Sequence, residues 1–208
     1  MLNIPYVGSD RNACALACYT MVAKYFFPET TFEQVAKLSD WKPSYVVWAF
    51  KFWNWITKKG IMVTDYDLIG YRDWAENGAK ALEDTMSENE FNFIYTHTKD
   101  LDALSEELRK LLKNKRFVYH RQRPTFEQLK QAVQEGKPCE VVLNSHVLDH
   151  RAGFALHRIV VVDINERQIT FHDPRPEPRA NRKETIEHFN KAWLKALDEP
   201  ELCIYSKL

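Results

Sequence analysis

The run Gly153 to Asp163 places His157 at the start of a β-branched stretch, and Gln168-Ile169-Thr170-Phe171-His172-Asp173 reads as a second strand that ends before Pro174. Between them, Ile164-Asn165-Glu166-Arg167 reads as a tight turn. Two such strands across a short polar turn pair as an antiparallel hairpin. Antiparallel pairing sets the first residues of one strand beside the last residues of the other. His157 and Asp173 are therefore expected to be neighbours, which supplies an imidazole with an acid to orient it.

An imidazole oriented in this way is half of a nucleophilic site, and the other half is expected at Cys14. The segment Ser9-Asp10-Arg11-Asn12-Ala13-Cys14-Ala15-Leu16-Ala17-Cys18 passes from a polar turn into an apolar helix. Asn12 is placed to cap that helix, leaving Cys14 in its first turn, where unpaired N–H groups and the helix dipole favour a thiolate. A cysteine in such a helix can equally be a buried packing residue. What distinguishes Cys14 is the partner it needs: a base to take its proton and a third group to hold the base.

Cys14, Ala17, Met21 and Val22, followed near the C-terminus by His157 leading into a Val-rich strand, Asp173-Pro174, Phe189 and Trp193, resemble the papain-like cysteine peptidases. Within them the pattern is similar to the leader-peptidase-like branch related to the domains that trim bacteriocin precursors at double-glycine sites. The resemblance runs over nearly the whole chain. It implies an α+β fold, papain-like, with an N-terminal nucleophile helix packed on an antiparallel sheet. It further implies that Cys14 is the nucleophile, His157 the general base and then acid, and Asp173 the orienting residue. Two positions depart from the family pattern: Ala15 stands where a Gly usually follows the nucleophile, and Gly8 stands where a Gln usually donates to the oxyanion. Loss of one such donor typically costs on the order of 10²–10³ in rate. The remaining candidate donors are the backbone N–H of Cys14 and the side chains of Ser9 and Asn12.

The function expected from these residues is a cysteine peptidase-like hydrolase that cleaves a peptide or amide bond through a thioester, with a peptide or protein as substrate and no cofactor or metal. Two alternatives remain open. One is a catalytically impaired relative that binds a peptide or protein in the old groove, which Gly8 favours; the other is a papain-like acyl transferase or deamidase with the same triad.

Composition bounds the setting. With 208 residues, 45% of them hydrophobic, the chain is expected to form one domain over 1–208. Lys plus Arg and Asp plus Glu each number 29, so no broad charge argues for nucleic acid or an acidic membrane as partner. No stretch approaches the ~20 apolar residues of a membrane span and the N-terminus lacks a leader pattern. Four cysteines are few for a disulfide scaffold, so a reducing cytoplasm is the expected location.

Periodicity predicts helices over 13–26, 30–38, 44–59, 71–86, 100–112 and 124–136, and strands over 61–66, 91–96, 117–120 and 139–144. The aromatic load of the third helix (Trp48, Phe50, Phe52, Trp53, Trp55) is expected in the core rather than on a ligand platform. Arg116, His120, Arg121 and Arg123 read as a solvated basic turn, with an anion contact as the alternative. His146 and His150 are expected on a substrate-facing loop, since their spacing fits no zinc pattern. His172 should point away from Asp173 and lie at the surface.

Overall fold

The computed structural model describes residues 1–9, 13–83, 88–177 and 179–207. Helix α1 (Cys14–Phe26) is followed by α2 (Phe32–Leu38), α3 (Phe50–Lys58) and strand β1 (Ile61–Asp67). A helical excursion follows: α4 (Tyr71–Asn77), α5 (Lys80–Glu83), α6 (Glu88–His97) and α7 (Leu101–Leu112). Then come β2 (Phe117–Arg121), α8 (Phe126–Gln134), β3 (Cys139–Asn144), the single turn α9 (Ser145–Leu148), β4 (Leu156–Ile164), β5 (Gln168–Asp173) and β6 (Arg179–Thr185). Helix α10 (Ile186–Asn190) runs into a π-helical turn (Lys191–Lys195), and β7 (Leu202–Lys207) closes the described chain.

These strands form one seven-stranded sheet in the order β2-β1-β7-β3-β4-β5-β6. Only β1 and β2 pair in parallel; every other described neighbour is antiparallel. The α+β, papain-like expectation therefore holds. Strand alternation gives the sheet two apolar faces. Val63, Val160, Val162, Cys203 and Tyr205 meet α1, α3, α4 and α7 on one face. Val141, Leu143, Ile159, Val161 and Phe171 meet α8, Phe189 and Trp193 on the other.

Local chemistry explains most element ends. Thr31 and Thr125 each form a reciprocal capping box, with Gln34 and Gln128, which satisfies two otherwise orphaned N–H groups at the helix start. Gly60 takes φ 94° just past α3, a left-handed conformation that stops a helix at little steric cost. In the β4–β5 turn the Asn165 side chain accepts from the N–H groups of Arg167 and Gln168 at 2.9 and 2.8 Å.

Four expectations about the secondary-structure elements need correction. The third helix begins at Phe50 rather than Ser44: Ser44 is left-handed (φ 71°), and the Val46 N–H goes to the His97 carbonyl at 2.8 Å instead of into a helix. The segment expected as one helix from Tyr71 breaks at Gly78 (φ 74°), and its expected end, Met86, lies outside the described residues. The stretch 91–96 is helix, not strand, because Phe91 and Ile94 sit three apart and both pack on the core while Tyr95 faces out. Finally, His146 lies in the short helix α9, whose start is capped by Asn144. The aromatic expectation holds, with Phe50, Phe52 and Trp53 buried.

Arg123 donates to the carbonyls of Leu194, Leu197 and Asp198, which caps the C-terminal end of the closing helix. Arg121 pairs with Asp73 at 3.0 Å. The basic segment thus ties elements together. Trp193, fully buried with its indole N–H donating to the Glu201 carbonyl at 3.1 Å, carries much of the second apolar face. Trp193→Ala should cost about 3–5 kcal/mol, read as a lowered urea midpoint with an unchanged slope.

Candidate active site

His157 pairs with Leu143 of β3 near the start of β4, and Asp173 is the last residue of β5. The β4–β5 register sets Val160 opposite His172 and Val161 opposite Phe171. Continued outward, it sets the start of β4 beside the end of β5. There the His157 Nε2 lies 2.7 Å from Asp173 Oδ1. The carboxylate accepts, so Nε2 carries the proton and exchange with a nucleophile falls to Nδ1. Asp173 is completely buried and His157 nearly so.

Helix α1 packs against β4 and presents Cys14 as its first residue, half-buried. Burial pushes the Cys14 thiol up, but the hydrogen bond and charge of His157, the backbone N–H of Arg158 and its guanidinium outweigh it and bring the pKa down to about 7. For His157, burial pulls the imidazole down, and hydrogen bonds and charge from Asp173 and Cys14 more than reverse this, raising it to about 9. Between those values the pair is a thiolate facing an imidazolium. The three other thiols are buried and pushed up, chiefly by desolvation.

Arg158 fastens helix to strand. Its carbonyl accepts from the Cys18 thiol at 3.3 Å, one helical turn beyond Cys14. The Arg158 guanidinium takes both oxygens of Glu201 at 2.7 and 2.6 Å, reaches Glu140 at 3.3 Å, and lies 5.5 Å from the centre of the Tyr19 ring on α1. Burial pushes the Glu140 carboxyl up, and the Arg158 guanidinium works against it.

The Cys14 backbone N–H lies in the first turn of α1, among the groups without an intrahelical acceptor, as an oxyanion donor requires. The Ser9 hydroxyl donates to the Pro174 carbonyl at 2.6 Å, which engages the one hydrogen it has. Asn12 lies outside the described residues. Gly8 is exposed, and a Cβ there would meet the Tyr6 ring at 3.6 Å, an ordinary contact.

His172, expected at the surface, is buried: its Nε2 faces the Ile4 carbonyl at 2.8 Å and its Nδ1 accepts from the Asn181 N–H at 3.2 Å. The N-terminal segment covers that sheet face, pinned by the Leu2 N–H to the Val162 carbonyl. His146 contacts the Ala152 carbonyl at 2.9 Å, and His150 stacks on His188 at 4.2 Å. Sequence reasoning missed Arg175 and Arg182, which hold Asp173, and the place of Asp149, which pairs with both arginines. The only hint was the density of arginine after Asp173-Pro174.

The fold is that of a papain-like peptidase. More narrowly, the structure is similar to the crystal structure of a "putative C39-like peptidase" from Bacillus anthracis, with a TM-score of 0.56 and 12% sequence identity over 99% of this chain and 96% of that one. No family model and no curated protein matches the sequence.

The thiol environments differ enough to be read chemically. Iodoacetamide should label Cys14 much faster than Cys18, Cys139 or Cys203 at neutral pH, with a rate that rises through about pH 7 as the thiolate forms. Peptide mapping checks it; equal labelling of all four would sink the assignment.

Proposed function

We propose that this chain is a cysteine peptidase-like hydrolase that cleaves a peptide or amide bond through Cys14, His157 and Asp173. The observation that carries the proposal is the His157–Asp173 contact of 2.7 Å beside a thiol whose pKa is brought down to about 7. The C39-like fold and the Cys14 to Val22 and Asp173-Pro174 patterns favour the leader-peptidase-like branch of papain-like peptidases. The substrate is a peptide or protein, met in the cytoplasm.

The Cys14 thiolate attacks the carbonyl carbon, and the backbone N–H of Cys14 donates to the oxyanion that forms. His157 passes its Nδ1 proton to the leaving amine, the C–N bond breaks and a thioester remains. His157, now neutral, takes a proton from water; the hydroxide attacks the thioester and the acid product leaves with Cys14 regenerated. Asp173 holds the imidazole in the tautomer that directs Nδ1 to the sulfur.

A second reading, a catalytically silent peptide-binding module, is favoured by the oxyanion side of the site. Gly8 offers no side-chain donor, and the Ser9 hydroxyl is engaged by Pro174. A transferase or deamidase would share the triad, and product masses separate it from a peptidase.

Cys14→Ala should abolish hydrolysis of any substrate found in a broad peptide library. Gly8→Gln should raise the acylation rate by up to ~10²–10³, the scale of one oxyanion donor. The hydrolase proposal fails if neither the natural protein nor Gly8→Gln cleaves any peptide of the library.

A further inference from the structure

Asp173 is held by more than the histidine it orients. Its Oδ1 accepts from His157 Nε2 at 2.7 Å and from Arg175 Nε at 2.9 Å, and its Oδ2 accepts from Arg182 Nη1 at 3.0 Å. With Asp173 fully buried, these contacts set both the plane of the carboxylate and the share of it that His157 receives. The two arginines are themselves fixed from the far side: Arg175 Nη1 bonds Asp149 Oδ2, and Arg182 Nη1 lies 2.9 Å from Asp149 Oδ1. Arg182 is further tied to Glu184 at 2.8 Å and to the Leu148 carbonyl at 2.8 Å.

We propose, building on the hydrolase reading, that Arg175 and Arg182, held by Asp149, are positioning residues that fix Asp173 and limit how strongly it holds the imidazolium proton of His157. The physical reason is competition at one oxygen. Arg175 and His157 donate to the same Oδ1, and each charge-assisted bond draws on the same electron density. Two guanidinium charges beside the site also disfavour a third positive charge on the imidazole, and Asp149 offsets part of that repulsion. Asp149 is suited to this because its carboxyl stays ionised: burial works to raise its pKa, but Arg175 and Arg182 hold it down at about 2.

Among the described residues, the charged and titratable groups around His157 and Asp173 include Cys14 from α1, Arg158 on β4, Arg175 from the turn after β5 and Arg182 from β6, and Arg179 of β6 shares the Asp149 carboxylate at 3.3 Å. Tyr6, from the N-terminal segment, donates to the Asp173 carbonyl at 3.2 Å. Removing Arg175 takes away one competitor and one cation, so the imidazolium should become harder to deprotonate. Removing the Asp149 charge leaves the arginines less neutralised, so it should become easier. A merely structural bracket would lower stability in both variants and move neither titration.

The test follows the His157 ring nitrogens by NMR against pH in the full chain, with the resonance assigned by its loss in His157→Gln. In Arg175→Gln the His157 midpoint should rise by about one pH unit, and in Asp149→Asn it should fall. Arg175→Lys keeps the charge and should stay nearer the natural protein than Arg175→Gln does. Midpoints that do not move, or that move in the same direction in both variants, overturn the proposal. If one variant fails to fold, the other still decides it by its sign. Failure of the hydrolase reading would be seen separately, as absence of selective Cys14 alkylation in the natural protein.

Discussion

The docking of α1 onto the start of β4 at Arg158 decides whether a site exists. One residue meets the helix through its backbone, with its carbonyl accepting from the Cys18 thiol. Its side chain is locked between Glu201, Glu140 and Tyr19. Buried ion pairs add little net stability, but breaking one partner is costly because a charge is left unpaired. The contact sets the start of α1 beside the strand, and with it the thiol beside His157, the residue preceding Arg158.

The electrostatics follow from this placement. A thiol taken out of water resists ionisation, and a buried imidazole resists protonation. Side by side each cancels the penalty of the other, and Asp173 tips the balance toward the charged pair. The acid stays ionised although buried: desolvation works to raise its pKa, and His157, Arg175 and Arg182 together bring it below the usual carboxylate range. The site is thus a chain of alternating charge from Cys14 through His157 and Asp173 to the arginines and Asp149. Each opposite charge lowers the cost of holding its neighbour out of water.

The rest of the molecule makes that chain rigid. The site draws on α1, β4, β5 and β6, all in the part of the sheet away from β1 and β2, while the excursion from α4 to α7 packs on the face that carries β1. Two apolar faces hold the central strands from both sides, so β4 and β5 have little freedom to slip. A slip of one residue would turn His157 and Asp173 to opposite faces.

Much of this was legible in the chain itself. The hairpin, the neighbourhood of His157 and Asp173 and the start of α1 at Cys14 follow from strand alternation, turn chemistry and helix ends, all of which act over a few residues. The stretch 91–96 was misread because Phe91 and Tyr95 fit both a strand and a helix spacing, and only contact with the core selects between them. His172 was misplaced for a related reason: strand parity gives the face a side chain points to, not whether the N-terminal segment will cover that face. The bracket of Arg175, Arg182 and Asp149 was hidden in the same way, since β6 and α9 meet only after the sheet has formed. The sequence by itself determined on which elements Cys14, His157 and Asp173 stand, because those signals are local. Only the tertiary structure decided what surrounds them and hence their proton affinities, because burial and charge act between segments that are distant along the chain.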